Sequence, residues 1–265
     1  MTRGLYKGDP LTPEEREELE EDLIAFCDRE LDLLGDIRGL DVLYAGGSSL
    51  LWIEGLSQRV GGGGSVTAID IDGERVDDTQ ASLGEAALAA PVHLLAGDVF
   101  GMPFGPRTFD LVYSSGLFHE LEVKEKGAED ALAALHFVAR QGGGVATSDF
   151  VDSEPAVQLE DERLDAELRR EAYARDRYGI GPPERLVALH EKLLANVRWL
   201  ASPPQRIRHL GKLVLVEDEP AELALLPPAT ARRLRESRDA VRGRILGEGY
   251  TRPATLYVEG LVQDA

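Results

Sequence analysis

Asp41-Val42-Leu43-Tyr44-Ala45-Gly46-Gly47-Ser48-Ser49 decides the fold: a short strand runs into a turn of small residues. Its apolar positions do not alternate with polar ones, as expected of a strand covered on both sheet faces. Two similar runs follow and end in acids, Val66-Thr67-Ala68-Ile69-Asp70 and Val92-His93-Leu94-Leu95-Ala96-Gly97-Asp98. A fourth, Phe109-Asp110-Leu111-Val112-Tyr113, closes on Ser114-Ser115-Gly116, and a fifth is read at 143–149. Helical patterns at 48–59, 73–89 and 128–141 lie between them. Strand and helix in alternation give a doubly wound, mostly parallel α/β sheet. Open sheets of this kind place ligands along the carboxyl ends of their strands, where these glycines and acids fall.

Outward from this core, Thr12-Pro13-Glu14-Glu15 marks a helix start, with a capping threonine, an N1 proline and a capping-box glutamate. Leu19, Leu23, Phe26, Leu31 and Leu34 then recur at helical spacing up to Gly35. The preceding segment 4–10 is expected to form a lid. Beyond the fifth strand, Arg/Glu-rich helices are expected at 158–178 and 184–196, a strand at Ile207–Val216, a helix at 228–246 and a last strand at Thr255–Val262. The last two strands bring the sheet to seven with an antiparallel edge strand. Residues 1–37 then form an N-terminal lid and helix, 38–152 the ligand-binding core, and 153–265 helical cap insertions with the final strands.

Hydrophobic and charged contents of 43% and 29% suit a globular domain, and no apolar stretch approaches the ~20 residues that span a bilayer. The net charge of −19 resides entirely in residues 1–158, with 30 acids against 11 bases, while 159–265 hold 18 of each. An acidic surface repels phosphate backbones, which argues against nucleic acids and anionic membranes as partners. A single cysteine, Cys27, excludes an internal disulfide and suits a reducing, cytoplasmic setting. Five scattered histidines show no metal-ligand spacing, and there is no Gly-x-Ser-x-Gly elbow or Walker phosphate loop.

Over about residues 38–150 the chain resembles the class I S-adenosylmethionine-dependent methyltransferases of the small-molecule type. Leu43-Tyr44-Ala45-Gly46-Gly47-Ser48-Ser49-Leu50 stands where the family carries an acid followed by alternating glycines. Gly46 matches the first glycine, whereas Tyr44 replaces the acid, and Ser48 and Leu50 replace the later glycines. Asp70 ends the second strand two dozen residues after Gly46, and a carboxylate there accepts both hydroxyls of a ribose. Asp72 is expected to cap the next helix. Gly97-Asp98-Val99 is similar to the family's third-strand ending, which implies that Asp98 takes the adenine amino group and Val99 offers its N–H. The string Ser114-Ser115-Gly116-Leu117-Phe118-His119-Glu120-Leu121 is similar to the fourth-strand exit beside the transferred methyl group.

The resemblance implies S-adenosyl-L-methionine as cofactor, held by Ala45, Gly46, Gly47, Ser48, Asp70, Ile71, Gly97, Asp98, Val99, Ser114 and Ser115, with no metal. His119 is the candidate catalytic base, or else a residue that packs at the strand–helix junction. Asp149 is either a substrate contact or a loop acid. Arg252 and Trp199 line a pocket or only a core, while His93 and His136 read as packing residues. The expected partner is a small-molecule acceptor with an oxygen or nitrogen nucleophile, and a homodimer through the cap helices is open. Two other readings remain: a catalytically inactive methyltransferase-fold interaction protein, motivated by Tyr44, Ser48 and Leu50, and a nicotinamide-dependent oxidoreductase, motivated by Asp70 alone.

Overall fold

The structure is a computed structural model that describes residues 11–121, 127–153, 157–179, 181–214 and 219–263. The segment around Tyr6, expected as a lid, lies outside the described residues. In chain order the elements are α1 (Pro13–Asp32), β1 (Asp41–Ala45), α2 (Leu50–Val60), β2 (Ser65–Asp70), α3 (Gly73–Ser82), β3 (Val92–Ala96), β4 (Phe109–Ser115), α4 (Ala128–Val138) and β5 (Ala139–Phe150). They continue as α5 (Val157–Tyr173), α6 (Pro183–Glu191), β6 (Ala195–Ser202), β7 (Gln205–Ile207), α7 (Leu210–Val214), α8 (Pro228–Glu248), β8 (Tyr250–Arg252) and β9 (Thr255–Leu261).

Seven strands form one sheet in the order β3-β2-β1-β4-β5-β9-β6. β1 to β5 pair in parallel, and β9 runs antiparallel between β5 and β6. The chain leaves β1 toward β2 and β3, then returns to build β4 on β1's other side, so the order reverses between β1 and β4. Crevices open at such a reversal because the connections depart to opposite sides.

Alternating side chains divide the core between the two faces, as the pleat requires. Val42, Tyr44, Leu111, Tyr113 and Tyr257 pack with α1 and α2. Leu43, Ala45, Val112, Val145 and Val258 pack with α4 and α6. A smaller cluster joins Leu168 of α5 to Leu234 of α8. α1 begins as its sequence dictates: Thr12 Oγ1 accepts from the Glu15 N–H at 3.2 Å, and the Glu15 carboxylate accepts from the Thr12 N–H at 3.1 Å. Such a cap contributes about 1 kcal/mol.

Several sequence expectations are corrected. α3 stops at Ser82 rather than at 89, with a 3-10 turn at Leu83–Glu85. α4 ends at Val138, and residues 139–142 are extended as the irregular start of β5, whose pairing with β4 shifts register between Phe109 and Leu111. α6 stops at Glu191, and the sixth strand of the sheet lies at Ala195–Ser202, where the helix was expected to end. The strand expected at Ile207–Val216 resolves into the end of β7 and the helix α7, on which Leu210 and Leu213 are buried one turn apart; residues 215–216 lie outside the described set. β7 pairs only with β8, in a separate two-stranded sheet. Trp199 lines neither pocket nor core: it stands 57% exposed on the edge strand β6. His93 is exposed as well, because β3 is the other edge. No helix among the described residues is long and apolar enough to cross a membrane.

Candidate functional site

At the reversal between β1 and β4 lies a cavity of about 330 Å³, walled by residues from six strands, three helices and the turns between them. Gly46 forms its rim at φ +78°, a left-handed conformation that glycine adopts without strain. A Cβ at this position would stand 2.6 Å from Leu117 Cδ1, so the turn also needs glycine for space. The Gly46 and Gly47 N–H groups both donate to the Ile69 carbonyl, at 2.8 and 3.1 Å, which ties the turn to the end of β2. Tyr44 lies beneath it, stacked on Tyr113 with ring centroids 5.9 Å apart. Burial pushes the Tyr44 hydroxyl well above its ordinary pKa, so it is neutral where the family's acid would be charged.

Asp70 is buried at the head of β2 and lines the cavity. Its Oδ2 accepts from Ser48 Oγ at 2.8 Å and its Oδ1 from the Asp72 N–H at 3.0 Å. Each carboxylate oxygen has two lone pairs, so one on each stays open toward a diol. The side chain at Ser48 thus orients the acid, a use its place in the glycine turn did not reveal. Ser49 is the N-cap residue of α2, but its side chain makes no cap bond. Asp72 caps α3 as expected, accepting from the Arg75 N–H at 3.1 Å.

The Gly97 N–H donates to the Asp70 carbonyl at 2.8 Å, which sets the end of β3 beside the end of β2. Asp98 Oδ1 accepts from the Phe100 N–H at 2.9 Å and so starts the short turn at Val99–Gly101. Val99 is buried, and Phe100 and Met102 pack against the core below it. Ile71, by contrast, projects 76% exposed beside Asp70. The cavity wall therefore gathers Gly46, Gly47, Ser48, Asp70, Ser115 and His119 from the expected set. Ala45, Ile71, Gly97, Asp98, Val99 and Ser114 are not part of that wall. Ala45 is fully buried beneath the turn. Ser114 faces the opposite side of the sheet, 3.4 Å from Thr147 Oγ1, which in turn lies 2.9 Å from His190 Nε2. Burial lowers the His190 pKa to about 4, so this chain of hydroxyls ends on a neutral imidazole.

The opposite wall comes from the turn after β4 and the end of β5. Gly116 reverses the chain at φ +67°. Asp149 Oδ2 then accepts from the Phe118 N–H at 2.6 Å, and Asp149 Oδ1 lies 2.8 Å from His119 Nδ1. His119 Nε2 is 3.3 Å from Glu120 Oε1. Burial works against charge on this ring, but the Asp149 and Glu120 carboxylates outweigh it and push the His119 pKa up to about 10. In the imidazolium form the ring donates to both carboxylates and carries no lone pair to receive a proton. The network continues through Arg177, which pairs with Glu120 and, at 2.7 Å, with Asp165. Ligand-capable atoms of His119, Glu120 and Glu162 come within 4.8 Å of one another. The Arg177 guanidinium, paired with Glu120, already supplies that cluster with positive charge.

Residues remote in sequence complete the cavity. Phe26, Trp52, Arg75, Ser148, Phe150, Arg252 and Thr255 line it. The Arg252 guanidinium sits 4.2 Å from the Phe26 ring centroid and 4.9 Å from that of Phe150. Glu30, buried on α1, accepts from the Ser148 hydroxyl and, at 2.8 Å, from Thr255 Oγ1, which fastens α1 over the ends of β5 and β9. A glutamate one turn after Phe26 on the buried side of an acidic helix was the available signal. Asp22 and Glu18 reinforce this seat through Arg208 and His209.

A family model described as a methyltransferase domain matches residues 42–143. No curated protein matches the sequence. Among solved structures, the YcgJ protein of Bacillus subtilis aligns with a TM-score of 0.56 at 12% identity, covering 91% of this chain and 100% of that one. A geranyl diphosphate methyltransferase in complex with S-adenosylmethionine gives 0.53 at 14% identity, covering 96% and 93%. Phosphoethanolamine N-methyltransferase 2 of Haemonchus contortus, also in complex with S-adenosylmethionine, gives 0.53 at 12%, covering 94% and 57%. At these identities the structural likeness speaks for the fold.

Proposed function

We propose that this chain is a class I S-adenosylmethionine-dependent methyltransferase that passes the methyl group to an oxygen or nitrogen of a small-molecule acceptor, a reading supported by the methyltransferase-domain match over residues 42–143. The observation that supports this reading is a single cavity with two unlike walls. Gly46, Gly47, Ser48 and Asp70 make one, and His119, Asp149, Phe150 and Arg252 make the other.

The first wall fits the cofactor at its nucleoside end. Asp70 retains lone pairs for both ribose hydroxyls, and the strained-for-alanine turn at Gly46 lets backbone approach the methionine part. Asp98, Val99 and the exposed Ile71 flank the adenine in this reading. The fit differs at the amino group, where the neutral Tyr44 hydroxyl replaces a carboxylate. When bound, S-adenosylmethionine supplies a sulfonium methyl group open to attack by a lone pair.

The second wall orients the acceptor. Phe26 and Phe150 offer apolar ring faces, and the Arg252 guanidinium held between them offers positive charge. α1, fastened by Glu30, covers the strand ends and keeps water from the reacting pair. His119 and Asp149 act as a charged pair that fixes the 116–121 turn, and thereby the distance between the two walls. Alignment of a nucleophile in this way contributes most of what such a transfer asks of the protein.

Incubating the protein with methyl-radiolabelled S-adenosylmethionine and a fractionated pool of small metabolites tests the reading. Label should appear in a small-molecule fraction and only with active protein. Label confined to a protein or RNA fraction, or absent from every fraction, would contradict the small-molecule acceptor.

A further inference from the structure

The strand β6 is one of the two outermost of the seven and, among the described residues, pairs on one side only, with β9. Native sheets blunt such edges with shortness, charge, proline or a covering element, because the unpaired N–H and C=O groups recruit another strand. β6 carries little of this protection. It runs eight residues, Ala195–Ser202, and Pro203 and Pro204 follow it rather than interrupt it. Its one charged side chain, Arg198, is already paired with Glu259 on the neighbouring strand. Four consecutive residues, 198–201, are exposed.

Two of those four are large and apolar, and they project to opposite faces. Trp199 stands across from Val258, whose side chain belongs to the core on the α4–α6 face, and is 57% exposed. Leu200 stands across from Tyr257, on the α1–α2 face, and is 53% exposed. Leu193 and Leu261, at the same end of the sheet, are 39% and 40% exposed. A strand laid against β6 would therefore extend both faces of the core as well as the hydrogen-bond ladder.

We infer that β6 is a self-association surface, on which a second copy of this chain pairs its own β6 in antiparallel register to make one continuous fourteen-stranded sheet. A closed two-fold dimer needs a patch complementary to itself. A strand edge meets that requirement, because a two-fold axis normal to the sheet makes the same strand antiparallel to its copy. Charge favours an edge in the second part of the chain. The whole net charge of −19 belongs to residues 1–158, whereas 159–265, which include β6, hold equal numbers of acids and bases. Two copies that meet through β6 bring their neutral halves together and keep the acidic halves apart. With the axis centred on Trp199 or Leu200, Arg198 faces an uncharged residue of the second copy, so no like charges oppose each other across the pair.

Sedimentation velocity of the full chain over a concentration series tests the inference, together with the double variant W199K/L200K. The wild-type chain should sediment at twice the chain mass at high concentration. The variant, which sets lysines against each other across the axis, should remain at the monomer mass with an unchanged circular-dichroism spectrum and unfolding midpoint. Concentration-dependent hydrogen exchange of the wild type supplies a readout that needs no variant: amides of 196–202 should gain protection as the dimer forms. A wild-type chain that is monomeric at every concentration overturns the inference, even if the edge captures some other protein. So does a dimer that W199K/L200K leaves intact, or one whose formation leaves exchange at 196–202 unchanged.

Discussion

Replacing Asp70 with asparagine keeps the shape of the side chain and removes its charge and one acceptor. In the native protein Oδ1 accepts from the Asp72 N–H at 3.0 Å and Oδ2 from Ser48 Oγ at 2.8 Å. The backbone donor fixes the orientation of the new amide, whose carbonyl must stay toward Asp72 while its NH2 turns toward Ser48. The Ser48 hydroxyl rotates to accept, so the fold loses little. A ribose then meets one acceptor and one donor where it had two charged acceptors. Loss of a hydrogen bond to a charged group costs about 1.5–3 kcal/mol, which corresponds to a ~10–150-fold weaker Kd. Titration calorimetry with S-adenosylhomocysteine, run on wild type and Asp70→Asn with their unfolding midpoints, measures it. A folded variant that binds within about threefold of wild type would refute the assignment of Asp70 to the ribose.

Gly46→Ala forces a side chain into φ +78° and within 2.6 Å of Leu117 Cδ1; the backbone and overpacking costs together should lower unfolding stability by about 2–5 kcal/mol. Urea denaturation measures this, and adding Leu117→Ala should restore only the overpacking part; an unshifted midpoint would remove the strain argument. His119 has its folded pKa raised from 6.5 to about 10. The stability it adds is therefore complete below its unfolded pKa and is lost as pH rises through about 10. The wild-type unfolding midpoint should fall across that window, and His119→Gln should flatten the decline; a variant with the same slope would show that the ring is not charged. Glu30→Ala strips the Ser148 and Thr255 hydroxyls of their buried partner, and each group left unsatisfied costs about 1–3 kcal/mol. A urea midpoint equal to wild type would mean that α1 is not held by this carboxylate.

The first five strands were legible because each is a short apolar run closed by glycine or acid, and the helices between them repeat at regular distance. β6 was not legible. An edge strand with 198–201 exposed shows no apolar alternation, and Leu193-Leu194 extend the periodicity of α6 up to its start. Gly46 and Asp70, which line the cavity, could be singled out for the same reason as the strands, since both sit at element ends. The other wall could not. Phe26, Phe150 and Arg252 come from three distant parts of the chain, and only the placement of α1 and β8 beside the end of β5 unites them. The pairing of His119 with Asp149 was hidden as well, because the two lie 30 residues apart. Ser48 was visible as a departure from a glycine pattern, but its service to Asp70 required the turn in three dimensions.

The central claim is that the reversal between β1 and β4 holds a methyl donor and not a nicotinamide. The most direct measurement is parallel titration calorimetry of the wild-type chain with S-adenosylmethionine, S-adenosylhomocysteine and NADH. Saturable one-to-one binding of the first two, with no heat from NADH, is the predicted result. Binding of NADH alone, or of none of the three to a folded chain, would contradict it.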